Sequence, residues 1–170
     1  GAAETLERLA DAGFENILVT NQSGIARGLL DEPTLQTIHE RLQMLLAEHN
    51  ARLDAIYYCP YLPGEEASVD AYRRDSDLRK PKPGMLLTAA FERNIDLAAS
   101  WSVGDSPRDC QAGRAAGCRT ILLRPEGATA DAEQTDCADF VAGSLDQAAQ
   151  IILKYGRSAD AAQPTAAQSE

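Results

Sequence analysis

The feature of this sequence that most constrains its fold is the alternation of short apolar runs with longer segments of helical periodicity. Apolar runs predict strands at 16–20, 55–59, 100–104, 119–123 and 139–142. Helices are predicted at 4–13 and 83–93, after the start signals at Ser106 and Ser144, and where leucine and isoleucine recur at helical spacing over 35–45. Such alternation favours an α/β fold, in which helices cover both faces of a parallel sheet in a three-layer, Rossmann-like arrangement.

The 170 residues correspond to a single domain. The alternating pattern extends over residues 1–155, which we expect to form that domain, and no insertion is long enough for a sizeable cap domain. From 156 to 170 the sequence has no periodicity and is rich in Ala, Gln and Ser, so a disordered tail is expected there. His39 and His49 lie in a polar helical stretch and are expected to face solvent.

Segments that directly follow the predicted strands are the candidates for a functional site, because parallel α/β sheets bind ligands at the carboxyl ends of their strands. The first such segment is Thr-Asn-Gln-Ser-Gly at 20–24. Its small donors and glycine would let backbone N–H groups approach an anion closely. Polar residues at strand ends are common, so this segment is a weak signal when it is taken alone.

The second candidate segment is Arg-Lys-Pro-Lys-Pro-Gly at 79–84, which contains two of the three lysines in the chain. Prolines fix the backbone and would hold the cations in place. A lysine held in this way suits a phosphoryl group as a point charge, and Arg79 could bind a second oxyanion. The alternative interpretation is a solvated basic turn.

The third candidate segment is Gly-Asp-Ser-Pro-Arg-Asp at 104–109. Two carboxylates four residues apart at the end of a strand suit a hard cation such as Mg²⁺. Alternatively, both acids could be favoured by the dipole at the start of a helix. That alternative explains Asp109 better than Asp105, since Asp105 precedes the predicted helix cap.

Composition excludes several classes of function. The net charge of −10 argues against a nucleic-acid surface, although it leaves open a small phosphorylated metabolite as the binding partner. No apolar run approaches the roughly 20 residues that a membrane helix needs, so no membrane partner is expected. The four cysteines form no C-x-x-C pair and are expected to be reduced thiols in a cytoplasmic protein. The oligomeric state is left open.

Together and in this order, the three segments resemble motifs II, III and IV of the haloacid dehalogenase (HAD) superfamily. The resemblance covers about 1–154 and is closest for the group that contains the D,D-heptose 1,7-bisphosphate phosphatases and the histidinol phosphatases. It is carried by Val-Thr-Asn-Gln-Ser-Gly-Ile-Ala-Arg-Gly at 19–28, Tyr-Cys-Pro at 58–60, and Arg-Lys-Pro-Lys-Pro-Gly-Met at 79–85.

The resemblance implies a role for each candidate residue. Thr20 would hydrogen-bond the transferring phosphoryl group and Lys80 would neutralise its charge, as catalytic residues. Asp105 would bind Mg²⁺, and Asp109 would complete and orient the metal site. The implied substrate-binding residues are Asn21, Gln22, Ser23, Arg79 and Ser106, the last standing where relatives of the heptose enzyme carry a lysine.

Motif I of the family, Asp-x-Asp-Gly-Thr, is absent from this sequence. In the family its first aspartate is the nucleophile that forms an aspartyl-phosphate, and its strand is central, between the strands that here end at Thr20 and Gly104. By the resemblance, this motif would lie upstream of Gly1. We therefore expect a sheet without its first central strand, and a chain that is inactive as given.

A zinc site is not expected either, although the group often carries one in the loop before the lysine motif. Cys59 is present, but the other ligand positions correspond to Tyr61, Ser76 and Leu78. One thiolate does not hold a structural Zn²⁺, which takes four nitrogen or sulfur ligands.

The sequence thus predicts a Mg²⁺-dependent phosphomonoester hydrolase for a small sugar phosphate or bisphosphate, with D-glycero-D-manno-heptose 1,7-bisphosphate as the first choice of substrate. Histidinol phosphate is the second choice. A catalytically silent phosphate-binding module, which keeps motifs II to IV without motif I, is the alternative from another functional class.

Overall fold

The computed structural model describes residues 1–124 and 136–156. Its helices and strands follow one another in the predicted alternation. In chain order they are α1 (Ala2–Asp11), β1 (Ile17–Asn21), α2 (Glu32–Ala47), β2 (Ala55–Cys59), a short 3₁₀ helix (Asp70–Tyr72), α3 (Gly84–Arg93), β3 (Trp101–Gly104), α4 (Pro107–Ala116), β4 (Arg119–Leu123), β5 (Phe140–Ala142) and α5 (Leu145–Tyr155).

The strands form two parallel sheets. β1 pairs with β2, with Ile17 opposite Ala55, and a three-stranded sheet runs in the order β3-β4-β5. The α/β fold class predicted from the sequence is therefore confirmed. Within the described residues no backbone pairing joins β1 to β3, so each of these strands has one sheet neighbour.

A cavity of about 630 Å³ separates β1 from β3, and we call it the inter-sheet slot. Ile17, Val19, Trp101 and Val103 line it from the two strands. The Asn16 carbonyl accepts its hydrogen bond on the side of β2, and the Ser100 carbonyl accepts its hydrogen bond on the side of β4. Successive residues of a strand direct their backbone N–H and C=O groups to opposite sides. The peptide groups of these four lining residues therefore point into the slot. Helices complete the walls, mostly through apolar side chains such as Leu6, Leu9, Leu86 and Ala89.

Helices pack on both faces of the three-stranded sheet. Gly113 of α4 lies against Ser102 and Thr120, while a buried cluster on the other face joins Leu9 of α1 and Ile121 of β4 to α5. Successive side chains of a strand point to opposite faces, so these contacts place α4 on one face and α1 with α5 on the other. The three-layer arrangement that the sequence predicts is present here.

The starts of two helices follow their sequence signals. The Asp31 carboxylate accepts a hydrogen bond from the Thr34 N–H at the start of α2, and the Ser144 hydroxyl does the same for Gln147 at the start of α5. At the other end of α1, Gly13 adopts a positive φ of 81°, which suits a residue without a Cβ. Local capping chemistry therefore fixes where several elements begin and end.

The prediction that His39 and His49 face solvent is wrong for His39 and confirmed for His49, which is exposed. His39 is buried, with its ring 5.9 Å from that of Tyr58, whereas Ile38 is 52% and Leu45 43% exposed. His39 shares the buried face of α2 with Leu35 and Leu46, which lie four residues before it and seven after it, and Ile38 therefore falls outside that face. Burial lowers the pKa of His39, because the protonated imidazole is poorly solvated there.

Residues 157–170 of the predicted disordered tail lie outside the described residues, and Gly156 ends α5. Among the described helices, none combines the length and the apolar character needed to cross a bilayer. Cys59, Cys110 and Cys118 are buried, and among the described residues none of the cysteines forms a disulfide.

Candidate active site

Lys80 lies near the carboxyl end of β1 and near the segment that follows the carboxyl end of β3. Its Nζ is 2.7 Å from Oδ1 of Asp109 and donates a hydrogen bond of 2.8 Å to the Val19 carbonyl. The Lys80 and Asp109 side chains are only 14% and 11% exposed, so the ammonium group is largely shielded and held in place. Lys80 therefore contacts β1 of the two-stranded sheet and α4, the helix that follows β3 of the three-stranded sheet.

Asn21, the last residue of β1, holds the backbone of Lys80. Its Nδ2 donates to the Lys80 carbonyl and its Oδ1 accepts from the Lys80 N–H, both at 3.0 Å. Both ends of the amide are thus bonded to one residue 59 positions further along the chain. The structure gives Asn21 a bracing contact with Lys80, whereas the family resemblance implied a contact with substrate.

Thr20, Gln22 and Ser23 follow one another at the end of β1. The Thr20 hydroxyl accepts a hydrogen bond of 3.2 Å from Nε2 of Gln22, so its own proton is available to another acceptor. The Gln22 N–H donates to the Cys59 carbonyl, which extends the pairing of β1 with β2. Ser23 lies in the turn beyond, where its carbonyl accepts from the Arg27 N–H.

The acids of the third segment differ in their surroundings. Asp105 directly follows β3 and is exposed. Asp109 is buried, and its Oδ2 accepts a hydrogen bond of 3.0 Å from the Ser106 N–H. A Cβ at Gly104 would fall on the Asp109 carboxyl group, which explains why a glycine precedes Asp105.

The two other cations of the lysine segment point elsewhere. Arg79 donates through Nη1 to the Tyr61 carbonyl at 3.1 Å, which ties this segment to the loop after β2. Lys82 is ion-paired with Asp75 and Asp77 at 2.6 and 3.3 Å. These pairs raise the pKa of Lys82 and distinguish it from Lys80, which alone of the two contacts Asp109.

The donor set fits Mg²⁺ through Asp105. Mg²⁺ binds through one or two carboxylates while it keeps several waters or substrate oxygens. Within the described residues the Asp105 carboxylate has no recorded hydrogen bond or ion pair, whereas both oxygens of Asp109 are engaged. No group of three or more His, Cys, Asp or Glu side chains in 1–124 and 136–156 is arranged to hold a metal ion. Cys59, the one remnant of the zinc motif, has its Sγ 3.9 Å from the Tyr61 carbonyl.

Two contacts of the site were missed by the sequence interpretation. The Val19 carbonyl is a backbone group, and no side-chain motif points to it. Arg124 donates through Nη1 to the Asp105 carbonyl at 3.1 Å. A signal for Arg124 was present, because it directly follows the β4 strand that the sequence predicts, as Asp105 follows β3.

Comparison with known proteins shows which family the chain belongs to. The family model described as HAD-hydrolase-like matches residues 77–148, a range that includes Lys80, Asp105 and Asp109. This chain is similar to the crystal structure of D,D-heptose 1,7-bisphosphate phosphatase from B. bronchiseptica complexed with magnesium and phosphate. The two sequences are 34% identical, and the two structures align with a TM-score of 0.77. That match covers 92% of this chain and 83% of the other. The fold and site thus define a HAD-like phosphatase.

Curated relatives narrow this class. The D-glycero-beta-D-manno-heptose-1,7-bisphosphate 7-phosphatase of Escherichia coli (strain K12) is 42% identical over 159 residues, which cover 94% of this chain and 82% of that protein. The enzyme of the same name from Yersinia pestis is 43% identical over 145 residues, or 85% of this chain and 76% of that protein. The chain belongs to this family of heptose-bisphosphate phosphatases.

Proposed function

We propose that this chain forms the phosphate-handling part of a Mg²⁺-dependent phosphomonoester hydrolase, with D-glycero-D-manno-heptose 1,7-bisphosphate as its preferred substrate. The observation that carries the proposal is the position of Lys80. Its shielded ammonium group lies between the end of β1 and the acids that follow β3. A phosphoryl group bound at this edge would meet a fixed positive charge, and phosphoryl transfer depends mainly on positioning and charge stabilisation.

The neighbouring side chains have complementary tasks. The Thr20 hydroxyl, which already accepts from Gln22, would donate its proton to a phosphoryl oxygen. Asn21 would keep Lys80 in place through its two-point contact with the lysine backbone. Ser23, Arg79 and Ser106 lie on segments that border this edge and would contact the rest of the substrate.

Asp105 would hold the metal ion, with Asp109 as the orienting acid between Lys80 and the Ser106 N–H. When bound, Mg²⁺ would offset the negative charge of the transferring phosphoryl group. The exposure of Asp105 suits this task, since an ion there can keep water and substrate oxygens in its shell.

The nucleophile of the proposal is an aspartate on a further strand in the inter-sheet slot. The slot presents strand edges on both sides, at Ile17 and Val19 and at Trp101 and Val103, and such edges accept a parallel strand. Helices wall the slot mostly with apolar side chains, as a strand buried on both faces requires. The carboxyl end of that strand would emerge beside Lys80. That it carries Asp-x-Asp, encoded upstream of Gly1, remains a prediction.

The test is a substrate panel with the product of the complete gene. Heptose 1,7-bisphosphate, histidinol phosphate and simple sugar phosphates are compared for phosphate release in Mg²⁺ and in EDTA. We expect the heptose bisphosphate to give the highest kcat/KM and EDTA to stop release from every substrate. Preference for histidinol phosphate would reassign the substrate. Failure to hydrolyse any compound, together with measurable phosphate binding, would support the silent module instead.

A further inference from the structure

Arg124 occupies a defined place at the same edge of the sheet as the acids. Its backbone N–H donates to the Ala142 carbonyl at 2.8 Å, which fixes the residue at the carboxyl end of β4. From there its guanidinium group reaches the neighbouring strand end, where Nη1 bonds to the Asp105 carbonyl at 3.1 Å. The anchored backbone and the planar guanidinium limit where this donor can point.

The peptide group between Asp105 and Ser106 is held on both sides. Its C=O accepts from Arg124, and its N–H donates to Oδ2 of Asp109 at 3.0 Å. Oδ1 of the same carboxylate bonds to Lys80 Nζ at 2.7 Å. A continuous row of polar contacts therefore runs from the end of β4 across this peptide group to Lys80.

We infer that Arg124 is a positioning residue, which fixes the plane of the Asp105–Ser106 peptide and thereby the direction of the Asp105 carboxylate. The carboxylate itself is exposed and makes no hydrogen bond or ion pair within the described residues, so its direction depends on the backbone that carries it. The consequence for metal binding rests on the proposed function of Asp105. The consequence for the peptide group does not.

The test compares Arg124→Met and Arg124→Lys with a matched control, Arg114→Met. Arg114 also donates from Nη1 to a backbone carbonyl, that of Asp136 at 3.1 Å, and its Nη2 lies 3.7 Å from the Asp139 carboxylate, so these contacts do not involve the Asp105–Ser106 peptide. Hydrogen exchange of the Ser106 amide is followed by NMR without metal, with the buried Ile121 amide as the internal measure of an intact fold. Mg²⁺ alone is then titrated into each variant.

We expect Arg124→Met to speed exchange of the Ser106 amide by about fivefold to tenfold, the scale of one weakened charge-assisted hydrogen bond, with the Ile121 amide unchanged. Its Mg²⁺ affinity should fall at least about tenfold, as for other residues that orient metal ligands. Arg124→Lys keeps one donor and should recover part of both effects. Arg114→Met should change neither.

The two measurements separate this inference from the proposed function. Unchanged Ser106 exchange in Arg124→Met overturns the positioning role, whatever the metal result. Faster Ser106 exchange in a protein whose wild-type form binds no Mg²⁺ supports the positioning role and removes the metal assignment of Asp105. An equal effect in Arg114→Met would show a general loss of stability and would also overturn the inference.

Discussion

The two sheets differ in how well they are packed. The three-stranded sheet lies on a core of six buried residues from α1, β4, β5 and α5, with six partly buried hydrophobic side chains around it. Beside the two-stranded sheet, the loops after β1 and β2 form a small cluster of Ala26, Leu62 and Ala67, against which Tyr72 packs. The acids Asp105 and Asp109 thus follow the better-packed sheet, and most of the proposed substrate contacts follow the other.

This difference fits the demands of the proposed chemistry. Charge stabilisation needs groups whose positions are fixed in advance, and a larger core provides that. Substrate recognition tolerates variation in loops that pack on a small cluster. Lys80 contacts both parts, through Asp109 on one side and the Val19 carbonyl on the other.

The largest expected effect is on turnover and comes from Asp105, which follows the better-packed sheet. In a protein that carries the proposed Asp-x-Asp strand, Asp105→Asn should lower kcat in Mg²⁺ on the order of 10²–10³-fold, the scale of losing one transition-state charge stabiliser. The matched control is Asp11→Asn, which removes the same charge from an exposed position at the end of α1. Wild-type turnover in Asp105→Asn, measured as phosphate release, would refute the metal assignment.

The link between the two sheets should show a smaller effect, on stability. Lys80→Met leaves the shielded Asp109 carboxylate without its cation, and we expect it to lower the free energy of unfolding by about 2–4 kcal/mol. Urea denaturation measures this. The exposed pair of Arg8 and Asp146 also joins distant elements, so Arg8→Met is the control and should lower the free energy of unfolding much less than Lys80→Met. Equal losses of unfolding free energy in the two variants would show that the Lys80–Asp109 pair contributes no more to stability than an exposed ion pair.

The smallest expected effect is the pH dependence of stability that His39 causes, beside the two-stranded sheet. The folded protein holds the pKa of His39 below its usual value, so the unfolded chain takes up a proton first as pH falls. Stability should therefore decline as pH drops through about 6.5, because the unfolded state binds more protons there. In His39→Phe, which keeps a ring beside Tyr58, the thermal midpoint should depend less on pH between 7 and 5. An unaltered pH dependence in that variant would contradict the assignment.

Local sequence signals were sufficient for much of the fold and for part of the site. Apolar runs and capping residues predict the five strands and the starts of the α-helices to within a few residues, although not the 3₁₀ helix at Asp70–Tyr72. The rule on strand ends points to Thr20 and Asp105. The brace of Asn21 on Lys80 could not be predicted, because it joins residues 59 positions apart through backbone groups that carry no sequence signature. Burial of His39 was missed for a related reason, since its ring packs beside Tyr58, a residue that follows it by 19 positions on another element.

The contact between Asn21 and Lys80 makes the position of the lysine depend on the chemistry of one amide. The brace works because one amide both donates and accepts, matching the N–H and C=O of a single peptide residue. Deamidation would turn Asn21 into an aspartate, which only accepts when it is ionised. The Lys80 carbonyl would then face a carboxylate oxygen in place of an N–H donor. Deamidation of this one side chain would in this way displace Lys80 while the sheets around it stay folded.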